Sequence, residues 1–226
     1  MRRALFVLLS VLLAPRPAHA LGPLDVLADA PEAAPRAARL DTGVADGVVA
    51  WLAYAQRLPG LVLARPLAFE VRFGMPLASP DLGDSGLEAS LQIDAWGTGR
   101  WRLRNQLDFG ERTTQNPVFR GVALLLRDTV SFGYQGPRGG FGVDAGWEQG
   151  LATHLHQSDW YQGEIYPGAR DGWLALPMGR ARLGLYGGFA AGERVWLAAR
   201  FGLDLDRTGR NSYLPLEAVL TGAFRF

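Results

Sequence analysis

The chain has 226 residues, a formal net charge of +1 and no cysteine. The absence of cysteine excludes disulfides, thiolate metal sites and cysteine nucleophiles. Without the arginines of the first twenty residues, 20 basic and 22 acidic residues remain. This balance does not predict the basic patch that nucleic-acid binding requires, so no nucleic-acid partner is expected.

Residues 1–20 have the organisation of a secretory signal peptide. Arg2 and Arg3 form a charged start, the apolar run 4–14 follows, and Ala18-His19-Ala20 supplies a small-residue cleavage site. We therefore predict that this segment is removed on export. No later stretch reaches the roughly 18 uninterrupted apolar residues of a spanning helix. If the mature protein lies in a membrane, it must cross with strands.

Residues 21–65 form a Pro- and Ala-rich N-terminal segment. The part up to residue 40 has the composition of a linker. Within 41–57, apolar residues recur at helical spacing after Asp41 or Thr42, either of which is a plausible N-cap. This spacing favours a short periplasmic helix, and an additional strand is the alternative.

From Leu67 to the last residue, apolar residues alternate with small or polar ones. This two-residue period is typical of strands. It predicts eight strands, with connections at 77–86, 97–99, 110–118, 135–139, 159–170, 190–194 and 206–212. The connections are alternately long and short, as in outer-membrane barrels with short periplasmic turns and longer outside loops. We therefore predict that residues 66–226 form an all-β, small antiparallel up-and-down transmembrane barrel with both termini in the periplasm.

The strand count depends on two ambiguous segments. Residues 171–189 are taken as one long strand, although a turn at 178–180 would raise the count to nine. Pairing of residues 46–55 would raise it to ten. Because bacterial barrels of this kind have even numbers of strands, eight is the preferred prediction and ten the alternative.

Charged residues fall on the inward-facing parity of the predicted strands. An eight-stranded barrel is only wide enough for side chains to fill it, or to hold one small ligand, and buried charges must be paired. The pattern therefore predicts a lumen closed by an ion-pair network, with a narrow channel or ligand path as the alternative. The predicted network comprises Glu70, Arg72, Arg100, Arg102, Arg104, Asp108, Asp144, Glu148, Arg180, Arg182, Arg200 and Asp204.

Asp128 breaks the outward-facing apolar pattern between Leu126 and Val130. A carboxylate near the middle of a bilayer is disfavoured. The sequence therefore predicts a local bulge at Asp128 or a position close to the membrane interface, with a functional role as the weaker explanation.

The chain ends in Phe224-Arg225-Phe226 on an alternating strand. This end resembles the C-terminal signature of bacterial outer-membrane barrel proteins, in which the terminal aromatic residue is part of what the barrel-assembly machinery recognises. The resemblance implies that Phe224 and Phe226 form an assembly signal and that the assembly machinery is a partner. It also implies an outer-membrane location, among outer-membrane lipids and lipopolysaccharide.

Two histidines follow the predicted signal peptide, and both lie in the segment His154-Leu155-His156-Gln157-Ser158. A histidine beside a serine hydroxyl is the minimum for an activated nucleophile, provided that a carboxylate orients the imidazole. Asp159, Glu164 and Asp171, in the next loop and strand, are the available carboxylates. Continued alternation from Phe141 places both histidines and Ser158 on the lumen face, which disfavours a lipid hydrolase unless a bulge near Gly150 reverses the parity.

The same residues resemble two groups of outer-membrane proteins. Outer-membrane phospholipase A and the lipid A deacylases use a His-x-Ser pair on a barrel strand. That resemblance implies His156 as base, Ser158 as nucleophile, and Glu164 or Asp171 as orienting acid. A second resemblance, to an uncharacterised outer-membrane family with a His-Gln-Ser-Ser-His motif and a Glu eight positions after its first His, is closer. His156, Gln157, Ser158 and Glu164 match this motif, Asp159 and Trp160 do not, and the resemblance implies no activity.

The leading functional prediction is a non-enzymatic barrel with a structural or binding role through its outside loops. A lipid esterase or deacylase and a narrow channel are the alternatives. No cofactor is expected, although His154 and His156 could bind a divalent cation together with a third ligand such as Glu148 or Asp159.

Overall fold

The computed structural model describes residues 22–27, 35–44, 48–62, 65–77, 82–175, 179–206 and 211–226. The elements in these ranges are a short helix α1 (Pro23–Leu27), a 3-10 turn (Leu82–Asp84), a single-turn π-helix (Tyr161–Ile165), and the strands β1 (Arg36–Val44), β2 (Val48–Val62), β3 (Arg65–Pro76), β4 (Gly86–Thr98), β5 (Trp101–Gln115), β6 (Phe119–Gly136), β7 (Gly139–Gln157), β8 (Gly172–Leu174), β9 (Gly179–Ala190), β10 (Val195–Asp206) and β11 (Asn211–Arg225). In these ranges no helix has the length and apolar character needed to cross a membrane.

Ten of these strands form a closed antiparallel barrel. Strands β1 to β7 pair one after another in chain order. In the closed ring β7 is followed by β9, which pairs with β10, and β10 pairs with β11. The barrel closes where β11 pairs with β1 along residues 37–44 and 218–225. The prediction of an all-β antiparallel barrel is confirmed, but its strand number is ten, so eight was wrong and the alternative was right.

The two additional strands, β1 and β2, lie in the N-terminal segment, partly where a helix was predicted. Within 41–57, residues 41–44 belong to β1 and residues 48–57 belong to β2. Along β2, Val49, Trp51 and Ala53 are buried while the residues between them are not. Without β1 and β2, the edges of β3 and β11 would remain unpaired. Strand pairing therefore overrides the helical spacing.

The segment 171–189 is also not a single strand. β8 and β9 both lie along the same edge of β7, β8 opposite residues 153–155 and β9 opposite residues 139–149. β8 therefore extends the sheet at one end of the barrel and does not add a strand to the closed ring.

Both ends of the barrel wall lie at one rim, here called the terminal rim. Arg36 N–H donates to the Phe226 carbonyl (3.2 Å), and Phe226 N–H donates to the Arg36 carbonyl (2.9 Å). Short connections at 99–100, 137–138 and 191–194 lie at this rim. The long connection 158–171 and the three-residue connection 116–118 lie at the opposite one, the distal rim. Gly99 has φ +56° in its two-residue turn, a conformation that glycine adopts without a steric penalty.

The barrel wall is apolar outside. Large side chains such as Leu52, Phe201 and Leu216 point outward and are 61–68% exposed. Near the terminal rim, Trp101 stacks on Phe132 with ring centroids 5.2 Å apart, and other aromatic rings surround it.

Glycines make room for large side chains in the lumen. An added Cβ on Gly86 would lie 2.7 Å from the Trp51 ring, and one on Gly184 would lie 2.5 Å from Nη2 of Arg200. At these two positions glycine therefore provides the space that inward-facing Trp and Arg side chains need.

Candidate functional site

The lumen contains a balanced set of buried charges. Among the described residues, nine arginines and nine carboxylates are buried, each at most 9% exposed. They are Arg39, Arg72, Arg104, Arg112, Arg127, Arg180, Arg182, Arg200 and Arg225, with Asp25, Asp41, Glu70, Glu88, Asp108, Asp144, Glu148, Asp204 and Glu217. Equal numbers allow each charge to have a counterion in a space from which water is largely excluded.

Arg127 lies at the centre of the largest group. Its guanidinium contacts the carboxylates of Glu88 (3.2 Å), Asp108 (3.3 Å) and Glu148 (2.8 Å), and its side chain is 2% exposed. Arg112 makes a second ion pair with Glu148 at 2.9 Å. This cluster, Glu88, Asp108, Arg112, Arg127 and Glu148, links the neighbouring strands β4, β5, β6 and β7 on their lumen side.

Two further groups hold other parts of the wall together. Arg200 makes a two-point contact with Asp144 (2.8 and 2.6 Å), which joins β10 to β7. Arg39 on β1 contacts Glu70 on β3 at 2.9 Å and its neighbour Asp41 at 3.0 Å. Because bidentate arginine–carboxylate contacts are strong and directional, these groups fix side chains as well as neutralise them.

The structure places most of the predicted lumen residues inside the barrel, but not Arg100 and Arg102. Arg100 is exposed and donates to the Tyr134 hydroxyl (2.8 Å). The Arg102 side chain is 34% exposed and donates to the backbone carbonyls of Gly99 (2.9 Å) and Trp101 (3.0 Å). Arg102 shares the parity of Arg104 on β5, and its Nε lies 3.8 Å from an Asp94 carboxylate oxygen. However, Arg100 and Arg102 both lie at the β4–β5 turn on the terminal rim, where side chains are open to solvent.

Sequence reasoning missed several lumen residues. Arg112 and Arg127 were absent from the predicted network, although Arg127 follows the inward parity of Ser131 on the same strand. Arg39 and Asp41 were missed because their segment was predicted to be linker and helix. The alternation of the sequence already assigns Arg127 to the inward face. By contrast, only the pairing of β1 with β11 shows that Arg39 and Asp41 lie on a strand.

Helix α1 lies inside the barrel near the terminal rim. The Asp25 carboxylate accepts hydrogen bonds from the Arg104 guanidinium and from Gly22 N–H (3.1 Å). Val26 and Leu27 are at most 1% exposed and pack in an apolar cluster with Trp196 and small wall residues. α1 therefore fills this end of the lumen, a placement that the Pro- and Ala-rich composition did not predict.

At the distal rim, one extra residue in β7 reverses the side-chain parity. Leu124 is opposite Ala152 while Leu125 is opposite Gly150, so Leu151 is a bulge. Beyond it, Leu155 is buried and His156 exposed. The expectation that His154 and His156 face the lumen is wrong, because the bulge that sequence analysis left as the alternative is present.

His156 is paired with a carboxylate on the following loop. Its Nδ1 contacts an Asp171 carboxylate oxygen, and the other oxygen accepts the Gln157 N–H at 2.7 Å. That backbone hydrogen bond, supported by His156, lowers the pKa of the Asp171 carboxyl. Glu164, the other candidate acid, lies in the exposed π-helix, so Asp171 is the carboxylate that orients the imidazole.

Ser158 has a structural contact of its own. Its Oγ accepts the Tyr161 N–H at 3.2 Å at the start of the π-helical turn. Within the described part of the chain, Ser158 and His156 share no hydrogen bond. The structure therefore brings together two members of the predicted site, His156 and Asp171, with Ser158 two residues along the chain and turned toward the helix.

His154, the other predicted metal ligand, packs against an aromatic ring. The His154 ring lies edge-on to Trp173 with centroids 5.1 Å apart. Among the described residues, no group of three or more His, Asp or Glu side chains could hold a metal ion, so His154 and His156 lack the third ligand that a metal site needs.

Phe224 and Phe226 point outward at the terminal rim, 48% and 45% exposed and stacked on each other.

No protein-family model matches the chain, and no curated protein matches it. Solved structures with a similar barrel include the KdgM porin, with 8% identity and a TM-score of 0.42 over 84% of this chain and 99% of that one. Another is Ail, the attachment invasion locus protein of Yersinia pestis, solved with the heparin analogue sucrose octasulfate (8% identity, TM-score 0.38, 84% and 98% coverage). The β domain of the Bordetella autotransporter BrkA has 12% identity and a TM-score of 0.33 over 84% and 98% of the two chains. These similarities are too distant to assign a function.

Proposed function

We propose that this chain is an outer-membrane barrel protein with a closed lumen, and that it has a structural or binding role through its distal rim. The proposal rests on one observation: the barrel wall is apolar on its outer surface and charged on its inner surface, the reverse of a water-soluble protein. Large apolar side chains on the outside are 36–68% exposed, while ionised side chains are buried inside. In water so large an apolar surface would aggregate or be covered, whereas a bilayer solvates it and a closed barrel satisfies every backbone group.

The bacterial outer membrane accommodates such a barrel. The predicted signal peptide at 1–20 and the terminal Phe224 and Phe226 support export and recognition by the barrel-assembly machinery. The proposal orients the terminal rim toward the periplasm and the distal rim toward the outside, among outer-membrane lipids and lipopolysaccharide.

Extraction and heat-modifiability test the membrane assignment. Cells that make the protein should retain it in the outer-membrane fraction after washes with salt and alkaline carbonate and release it in detergent. The folded barrel should migrate faster than the heated chain in an electrophoresis gel. Release by salt alone would contradict the proposal and support a soluble sheet protein.

The filled lumen favours a closed barrel over a channel. The cluster around Arg127 occupies the lumen beside β4 to β7, and α1 fills the terminal end through Asp25 and Arg104. We expect no discrete conductance from the full chain in planar bilayers. A stable conductance that changes in an Arg104→Gln variant would instead support the narrow channel.

A lipid ester hydrolase is the second candidate function. The contact between His156 Nδ1 and Asp171 supports it, because a carboxylate in this position selects the imidazole tautomer whose Nε2 can accept a proton. The Leu151 bulge supports it too, since His156 then faces the outer surface, where a lipid substrate would lie. Ser158 would act as nucleophile after rotation of its Oγ away from Tyr161.

Lipid profiles decide between the two candidates. Mass spectrometry of lipid A and phospholipids should be compared among cells making the wild type, Ser158→Ala, His156→Ala and the control Ser131→Ala, in which a buried lumen serine is changed. Identical profiles for all four would exclude the hydrolase. Deacylated products that disappear with Ser158→Ala and His156→Ala, but persist with Ser131→Ala, would establish it.

A further inference from the structure

Asp128 lies on the outer face of the barrel at the middle of β6. Its strand neighbours in β5 and β7 are Leu107 and Trp147, and the register is continuous there, so no bulge turns it away from the outer face. It lies six residues from Tyr134, whose ring belongs to the aromatic group at the terminal rim. Six residues of a strand tilted by about 45° rise roughly 14 Å, near the middle of an apolar band about 25 Å tall. The bulge explanation is therefore wrong, and in the proposed membrane location Asp128 lies closer to the middle of the apolar band than to its edge.

Asp128 is not alone on this face. The Asn105 side chain on β5 also points outward, and its Nδ2 donates to Asp128 Oδ1 at 2.5 Å. The surrounding outward residues are apolar, with Leu107 48%, Val130 42% and Trp147 42% exposed. The hydrogen bond uses one carboxylate oxygen and one amide hydrogen, which leaves the other oxygen, the second amide hydrogen and the amide carbonyl facing hydrocarbon. Polar groups in that setting mark contact or functional sites.

An apolar groove of about 610 Å³ begins beside this pair. Its wall starts at Val130 on β6, continues across β7 and β9, and extends to Leu203 on β10 and Leu216 on β11. Val130 is two residues from Asp128 on the same face, and Ala145 is opposite Val130. The polar pair and the groove therefore form one continuous surface.

We propose that this surface is the docking site for a second copy of the chain within the membrane; the inference rests on the proposed membrane location. The pair places a donor amide beside an acceptor carboxylate. A two-fold axis along the membrane normal would set each Asn105 amide against the partner's Asp128 and the reverse, which is the self-complementarity of an isologous contact. An acyl chain could fill the groove, but it has no group that hydrogen-bonds a carboxylate. A second copy supplies both the apolar side chains and the hydrogen-bond partners.

Cross-linking tests the site directly, because the chain has no cysteine. Val130→Cys places one thiol beside the pair, and Leu52→Cys places the matched control four strands away on β2, where the side chain is 64% exposed. A bis-maleimide applied to isolated outer membranes should join Val130→Cys chains into a product of twice the chain mass, and should leave Leu52→Cys chains single. Equal yields at the two positions would overturn the proposal, and so would a product of another mass, which would indicate a different protein partner.

Substitution of the polar pair provides the second readout. Asp128→Leu in the Val130→Cys background should reduce cross-linking at least tenfold, and Asp128→Asn should preserve it because an amide still accepts and donates. Heat-modifiability confirms that each variant has folded. Unchanged cross-linking in folded Asp128→Leu would overturn the role of the pair. Alkaline extraction of the same membranes separates the two proposals: release of the wild type defeats the membrane assignment, whereas an embedded but uncross-linked wild type defeats only self-association.

Discussion

Replacing Arg127 with methionine tests whether the ion pairs of the lumen hold the barrel together. The substitution keeps an unbranched side chain but removes the charge that contacts Glu88, Asp108 and Glu148. Removing one partner of a buried ion pair costs about 3–5 kcal/mol, because the remaining charge loses its compensation.

The expected loss lies near the lower end of that range. Glu88 retains its contact with Arg72, Glu148 retains Arg112 at 2.9 Å, and Asp108 retains a hydrogen bond from Gln106 at 2.7 Å. We therefore expect Arg127→Met to lower the free energy of unfolding by about 3 kcal/mol.

Urea unfolding of the barrel in detergent micelles, followed by tryptophan fluorescence, measures the effect. The control Arg120→Met changes an arginine exposed at the distal rim and should alter the free energy by less than about 0.5 kcal/mol. The double variant Arg127→Met/Glu148→Gln should lose less than the sum of its single variants, since neutralising Glu148 removes one uncompensated charge. An Arg127→Met protein as stable as the Arg120→Met control would refute the argument and would indicate a hydrated lumen.

Three smaller perturbations test other parts of the structure. Gly184→Val should destabilise the same unfolding transition by about 1–3 kcal/mol, because the new side chain meets the Arg200 guanidinium; an unchanged midpoint would show that Arg200 can move aside. Gly99→Val should destabilise the β4–β5 turn by about 1 kcal/mol or more, since φ +56° is unfavourable for a β-branched residue, and Gly163→Val on the exposed π-helix is its control. The pKa of Asp171 is lowered in the folded chain, so its contribution to loop docking should be present above its ordinary pKa and lost as pH falls through the folded value. Hydrogen exchange of the Gln157 amide should show this loss in the wild type and not in Asp171→Ala, which has no side-chain acceptor and whose exchange should be fast throughout.

The alternation of apolar and polar residues was sufficient to predict the barrel and its two chemical surfaces. The two-residue period assigns Leu, Phe and Val to one face of each strand and Arg, Asp and Glu to the other, wherever the strand pairs. For this reason most of the ion-pair network, including Arg72, Glu148 and Arg200, was predicted without knowledge of strand order. The lengths of the connections were predicted less well: the connection between β5 and β6 was expected at 110–118 but comprises three residues, 116–118.

Tertiary structure decided what depends on pairing between distant residues. Residues 41–57 satisfy a helical spacing and a strand spacing alike, and only closure of β1 on β11 selects the strand and sets the number at ten. The bulge at Leu151 comes from the register of β7 against β6, and one extra residue is enough to turn His156 outward.

The local sequence pattern also could not predict which partners isolated polar residues contact. Asp25 has no periodic context, and its position beside Arg104 depends on the helix filling the closed lumen. Asp171 and Glu164 were equivalent candidates by spacing, but the loop that returns to β8 brings only Asp171 to His156. Sequence thus determined which face each side chain prefers, because that preference is local, while the partner of each polar group followed from long-range register.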